Sequence, residues 1–258
     1  MGKGQIPGFY KLSILERLEK LRDFGKISED DFKALLEDRH LLSTQRADKM
    51  IENVIGVMGL PLGLGLNFLV NDKDYMVPLV VEEPSIVAGL SSAAKVFKGS
   101  GGADSFLEES FLIGQVQIVS PKNSEDAKTA ILFNKSSLLE KANQAHPRMA
   151  ERGGGAKDIE VRVFEPTEDQ PAMVILHLLV DTCDAMGANV VNTMCESLAY
   201  DLEALTEGRV FLRILSNLAD RSIVKTKVEI DTNELKGKGF RGDEVRDGVI
   251  LASQLAEI

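Results

Sequence analysis

Apolar positions near the start of the chain recur with helical spacing. Ile14, Leu15, Leu18 and Leu21 share one face, and Gly25 closes the run. Ser28 is placed to cap a second helix whose Phe32, Leu35 and Leu36 point inward. Helical periodicity is then lost across "MIENVIGVMGLPLGLGLNFLV", where glycines and a proline predict an extended, tightly packed segment. "DYMVPLVV" predicts a strand. "SIVAGLSSAAKVFKGSGG" predicts a helix rich in small residues and stopped by glycines.

From about residue 110 the rhythm changes. "GQVQIV" predicts a strand, "EDAKTAILFNKSSLLEKANQA" a helix, and "DIEVRVF" and "AMVILHLLV" two more strands. "NVVNTMCESLAYDLEAL" is helical again, and "RVFLRIL" is a last strand. The order βαββαβ predicts a ferredoxin-like unit, an antiparallel sheet with two helices on one face. It occupies residues 110–215, inserted into a larger, helix-rich domain made of 1–109 and 216–258, and the fold class is α+β. Near the end, Val245, Val249, Ala252 and Leu255 form an apolar stripe still running at Ile258, with no glycine or asparagine cap. That interrupted pattern leads us to expect that part of the larger domain is missing.

Composition narrows the function classes. With 258 residues, 44% of them hydrophobic and 27% charged, the chain is long enough for one large domain or two modest ones, each with its own core. A formal net charge of −10 argues against a large nucleic-acid footprint and leaves room for a local basic site for a phosphate. No apolar run approaches the roughly 20 residues that span a bilayer. "MGKGQIPGFYKLS" carries no continuous apolar core of a secretory signal, so a cytoplasmic, non-membrane protein is expected. In that compartment Cys183 and Cys195 are expected as reduced thiols.

Four stretches carry candidate chemistry. Glu82-Glu83-Pro84-Ser85 reads either as a solvated turn, with Pro84 starting a helix and the acids favouring its positive end, or as a carboxyl directed into a cleft, able to donate a proton. "RGGGAKDIEV" offers Arg152 and three glycines that either hold a phosphate through backbone N–H groups or form a plain loop before a strand. In "DTCDAMGANVVNTM" small residues lead from a strand into a helix, with Asn189 and Asn192 supplying amides. A dinucleotide pyrophosphate could approach that helix start; alternatively Asp184 simply caps it. "SNLADR", with Asn217 and Asp220 at a strand end, has the same two readings. The three histidines, His40, His146 and His177, are scattered and form no metal set or catalytic triad. His177, inside "MVILHLLV", is expected to be a buried strand residue.

Taken together, "ENVIG", "VPLVVEEPSIVA", "RGGGAKDIEV", "DAMGAN" and "RILSNLAD" resemble, in order and with compatible spacing, class II 3-hydroxy-3-methylglutaryl-coenzyme A (HMG-CoA) reductases. The resemblance runs from about residue 7 to the end. It implies an NAD(P)-dependent interconversion of HMG-CoA with mevalonate and CoA by two hydride transfers. Glu83 falls on the family's catalytic glutamate, and Ser85 on a residue contacting the hydroxymethylglutaryl portion. The small domain would bind the nicotinamide cofactor without a Rossmann fold. There Asp184, Met186, Gly187 and Asn189 match cofactor contacts, and Asn217 matches one near the nicotinamide. His146 stands where an NAD-using relative has an acid. Beside Arg148, it suits a 2′-phosphate, which favours NADPH slightly over NADH. The family's catalytic lysine, in an Asn-Lys-Gly segment, and its later aspartate and histidine have no counterpart in this sequence. The resemblance therefore implies a chain inactive by itself, with a nucleotide- or CoA-binding remnant or one part of a split enzyme as alternatives. It also implies a homodimer or larger assembly and no metal.

Overall fold

The computed structural model describes residues 6–37, 42–237 and 239–256; His40 and Ile258 lie outside the described residues. The chain divides into two compact units, residues 1–105 with 226–258 and residues 106–225. Among the described residues no helix is long and apolar enough to cross a membrane.

Two short amphipathic helices, α1 (Ile14–Asp23) and α2 (Glu29–Leu36), open the first unit. Each starts with a reciprocal capping box, Ser13 with Glu16 and Ser28 with Asp31, which satisfies backbone donors the helix itself cannot. Leu18 and Phe32 are buried, whereas Ile14, Leu15 and Leu36 are exposed. The predicted helical spacing holds, but the covered stripe is narrower than expected. After α3 (Thr44–Ala47) the chain runs through 50–61 without regular structure. Here the expectation of tight packing is corrected: Met50, Ile51 and Met58 are exposed, and Ile55 is fully open to solvent.

The glycines act further on, in β1 (Leu62–Val70). Gly63 and Gly65 leave room for Val87 and Leu90 of α4 (Ile86–Gly99) to reach the sheet. β1 pairs antiparallel with β2 (Lys73–Val80), and the register breaks between Gly65 and Phe68. At that bulge the Leu66 N–H donates to Ser91 Oγ (3.1 Å) and the Asn67 amide to the Ser91 carbonyl (3.0 Å). The irregularity thus fastens α4 to the strand. The Lys98–Asp74 ion pair ties the other end of α4 to β2. β3 (Ala103–Ser110), not predicted from its polar, charged sequence, leads into the second unit.

That unit contains β4 (Leu112–Val119), α5 (Ser124–Phe133), α6 (Lys135–Ala145), α7 (Pro147–Glu151), β5 (Gly155–Phe164), β6 (Met173–Asp181), α8 (Ala188–Thr206) and β7 (Arg209–Leu215). The sheet order is β5-β6-β4-β7, and every neighbouring pair is antiparallel. The single helix predicted before β5 is broken at Asn134, whose side chain donates to the Ala130 carbonyl at 2.8 Å and competes with the helical ladder. Alternate residues of β6 (Val174, Leu176, Leu178, Val180) and Val116 and Ile118 of β4 all face the helices. This is the period-two pattern of a sheet covered on one side. Facing them, α8 presents Val191, Met194, Cys195, Leu198 and Leu202 at spacings of one to four residues. Gly114 permits the close approach, since a Cβ there would lie 2.3 Å from Cys195 Sγ.

β8 (Ser222–Val228) returns the chain to the first unit and completes its sheet in the order β2-β1-β3-β8. α9 (Gly242–Ala256) ends the described chain, and its apolar stripe is uncovered, with Val249 and Leu255 exposed.

Leu176→Ala, at a fully buried site, is expected to lower the stability of the second unit by about 3 kcal/mol. Leu255→Ala, on exposed α9, should change the stability of the first unit by less than about 0.5 kcal/mol. Urea denaturation followed by circular dichroism checks both.

Candidate functional site

Glu82 and Glu83 follow β2 after Val81, and the turn they form delivers the chain to α4. The helix begins at Ile86, two residues after Pro84, so the proline does not take the first helical position. Instead the N-cap is Ser85, held in the left-handed region at φ 73° and ψ −15°, and no side chain caps the helix. A non-glycine residue there costs about 1–2 kcal/mol, a strain more common at functional sites than elsewhere. Glu83 and Ser85 are both exposed, so no cleft formed by their own unit desolvates the carboxyl.

The second unit repeats this entry. Residues 182–185 close on themselves: the Thr182 hydroxyl donates to the Ala185 carbonyl (3.0 Å) and the Ala185 N–H donates back to the Thr182 carbonyl (3.0 Å). Asp184 therefore projects outward and does not cap α8. The N-cap is Gly187, at φ 83°, and again no side chain caps the helix. A Cβ at Gly187 would lie 2.3 Å from Thr182 Cγ2, so both dihedral and contact demand glycine. By contrast α1, α2, α3 and α5 are capped by Ser13, Ser28, Ser43 and Asn123. The first-turn N–H groups of α8 lack such a side-chain acceptor, which is the chemistry an anionic group such as a pyrophosphate uses. Asp184, Met186 and Asn189 are exposed around this turn.

The tertiary fold gathers further residues at the same end of the sheet. Asn192 accepts the Leu215 N–H at 2.8 Å and so fastens the start of α8 to the end of β7, just before exposed Asn217. His146 ends α6 and precedes Pro147 at the start of α7, which also carries exposed Arg148. His146 Nδ1 is buried and has no hydrogen-bond partner among the described residues. The next turn, Arg152–Gly155, packs against the end of β6: a Cβ on Gly154 would touch the Asp181 carbonyl and Cys183 Sγ. Its donors are used internally. Gly153 N–H goes to Ala150, Gly154 N–H to Met149, and Ala156 N–H to Asn143. Of the two readings of this glycine run, the structure shows the loop before a strand.

A hollow of about 620 Å³ lies between the start of α8 and the end of β7, lined by Asn192, Ile214, Leu215, Asn217, Leu218 and Gln115 among others. Gln115 was not singled out from the sequence. It is an ordinary polar position in an alternating strand, and only the pairing of β4 with β6 sets it opposite buried His177. His177 is buried as predicted.

These features describe an α+β protein with an acidic turn at one strained helix entry and an anion-type glycine turn at another. The chain belongs to the hydroxymethylglutaryl-coenzyme A reductase family, whose model matches residues 13–258. It is 44% identical over 252 residues to a 3-hydroxy-3-methylglutaryl-coenzyme A reductase of Archaeoglobus fulgidus, covering 98% of this chain and 56% of that protein. A probable reductase of Borreliella burgdorferi is 30% identical over 88% of this chain and 50% of its own length. The chain thus spans about half the length of these curated relatives. Among solved structures, the class II enzyme of Streptococcus pneumoniae, described as bound to NADPH in open conformations, superposes with a TM-score of 0.90. It is 39% identical, with 97% of this chain and 67% of that chain covered.

Two outcomes follow from the geometry. Ser85→Gly should relieve the left-handed strain and raise the stability of the first unit by about 1 kcal/mol, measured by urea denaturation. The two thiols should separate by reactivity. Cys195 is fully buried and its pKa is pushed up to about 12, first by burial and then by Glu196, while Cys183 is exposed. A thiol reagent at pH 8 should titrate Cys183 alone in the native protein and both cysteines after unfolding. Because the folded pKa of Cys195 exceeds the unfolded one, its contribution to stability is complete below about pH 8.5 and is lost as pH rises toward 12.

Proposed function

We propose that this chain carries part of an NAD(P)-dependent oxidoreductase that interconverts HMG-CoA with mevalonate and CoA. Family membership supports the reading. The observation that carries it is the shared entry of α4 and α8, each through a left-handed N-cap without a side-chain cap, at the residues the resemblance singles out. In this reading the first unit binds HMG-CoA and the second, spanning roughly 110–215, binds the dinucleotide.

The bound dinucleotide supplies hydride. Glu83 holds the proton delivered to the carbonyl oxygen as negative charge develops there. Ser85 hydrogen-bonds the hydroxymethylglutaryl portion of the substrate. The first turn of α8, entered through Gly187, receives the pyrophosphate, with Asp184, Met186 and Asn189 around it. Asn217 stands at the nicotinamide end. His146 and Arg148 face the adenosine ribose, and their chemistry favours a 2′-phosphate and hence NADPH over NADH. The lysine, aspartate and histidine that the resemblance requires are not among these residues. One missing oxyanion donor alone costs on the order of 10²–10³ in rate, so this chain is inactive by itself. The apolar residues open at 50–58 and on α9 support a homodimer or larger assembly.

The test is calorimetric titration of the purified chain with NADPH and NADH, alongside an assay for mevalonate. Binding of NADPH without mevalonate formation is expected. The double variant His146→Ala/Arg148→Ala should weaken NADPH by about tenfold and leave NADH nearly unchanged. Failure of the wild-type chain to bind either nucleotide would overturn the dinucleotide reading. Mevalonate formation by this chain alone would overturn the assignment of catalytic steps to residues it lacks.

A further inference from the structure

The hollow at the α8 end of the second unit has an apolar wall and a few amides. Ile214, Leu215 and Leu218 supply the apolar surface. Asn192 has committed its side-chain oxygen to the Leu215 N–H, and Asn217 is exposed. Gln115 differs from both. It is partly buried, and its amide lies 3.3 Å from His177 Nε2. His177 is only 6% exposed, and its other ring nitrogen, Nδ1, is buried with no protein partner. The bond to Gln115 is therefore the polar contact this ring makes among the described residues.

The surroundings of the ring are charged on several sides. Glu160 lies directly across on β5, Arg162 is two residues further along that strand, and Asp220 follows β7. Glu160 is itself held by Arg221 at 2.6 Å. Burial first, and then Arg162, hold the His177 pKa below the usual histidine value, while Glu160 and Asp220 act in the opposite direction. The ring is accordingly neutral near pH 7.

We propose that Gln115, positioned by His177, hydrogen-bonds the carboxamide of a nicotinamide ring seated in this hollow. The inference rests on the dinucleotide reading and names a residue of that site. A primary carboxamide carries one acceptor oxygen and an NH₂ donor, so its NH₂ can donate to the side-chain oxygen that Gln115 leaves free when its own NH₂ faces His177. Ile214, Leu215 and Leu218 cover the apolar faces of the ring, in the mixture of apolar wall and few polar groups typical of small-molecule sites. His177 is a positioning residue because it holds one end of the Gln115 amide and leaves the other end to the ligand. When His177 is protonated, both its nitrogens are donors. It then takes only the oxygen of Gln115 and turns the NH₂ group toward the hollow.

The test compares NADPH with 2′-phospho-ADP-ribose, which lacks the nicotinamide, by calorimetry on the wild-type chain and on folded Gln115→Leu, Gln115→Met and His177→Leu. Each variant should bind NADPH about tenfold more weakly, the worth of one hydrogen bond, and bind the truncated nucleotide like the wild type. Gln115→Met keeps the unbranched length of the side chain and serves if Gln115→Leu does not fold. His177→Asn, which can still bond the Gln115 amide, should recover most of the neutral-pH affinity. Equal weakening of both nucleotides, or no weakening of either, would overturn the role of Gln115. Failure of His177→Asn to recover affinity that His177→Leu loses would overturn that of His177. If the wild-type chain binds the truncated nucleotide but gains nothing from the nicotinamide, the inference fails while the dinucleotide reading stands. If it binds neither, both fall.

Discussion

The distance between α8 and β4 governs the second unit. Gly114 presents no side chain where Val191 and Cys195 of the helix come down on the sheet, and a Cβ there would overlap both. With the helix that close, Val116 and Ile118 of β4 and the alternating apolar residues of β6 are sealed from water. At about 25 cal/mol per Å² of apolar area removed from water, that contact is the main source of cohesion in the unit. The same contact fixes where α8 begins. Because the helix is rigid, its first turn, the Gly187 entry and the Asn192 bond to Leu215 all arrive at one end of the sheet. The hollow beside Asn217 is a consequence of that packing.

The first unit is held differently. Its sheet touches α4 through Gly63 and Gly65, and a bulge pinned by Ser91 substitutes for lost ladder bonds. Few of its large apolar side chains are fully covered. Ile55, Met58, Val249 and Leu255 lie open among the described residues. Exposed apolar surface on that scale marks an interaction surface. In the proposed assembly it is the surface on which a second copy packs.

Both candidate sites use one backbone device. An αL residue at the N-cap turns the chain sharply into a helix and leaves the leading N–H groups without a side-chain acceptor. At Gly187 the conformation is nearly free of strain and the contact with Thr182 admits nothing larger. At Ser85 it is strained, and the strain persists in a turn that also carries Glu83. Of the other helices, α1, α2, α3 and α5 are closed by serines and an asparagine, whereas α6 and α7 also start without a side-chain cap.

Local patterns carried much of this in advance. The capping serine at 28, the period-two strands of the second unit, the βαββαβ order and the burial of His177 were all readable, because caps and periodicities depend on residues a few positions apart. The motif residues Glu83, Ser85 and 184–189 were legible for the same reason, as runs of adjacent residues. What the sequence could not determine was coverage and distant pairing. Residues 50–58 read as packed yet lie open, and Leu36 keeps helical spacing on a face nothing covers. The 153–155 glycines left a phosphate turn and a plain loop equally open in the sequence, and only the folded chain bonds the Gly153 and Gly154 N–H groups to Ala150 and Met149 and the Ala156 N–H to Asn143. Gln115 meets His177 across 62 positions of sequence only because β4 and β6 pair in that register. Register and burial are set by long-range contacts that form together, so they are properties of the folded chain and not of any stretch within it.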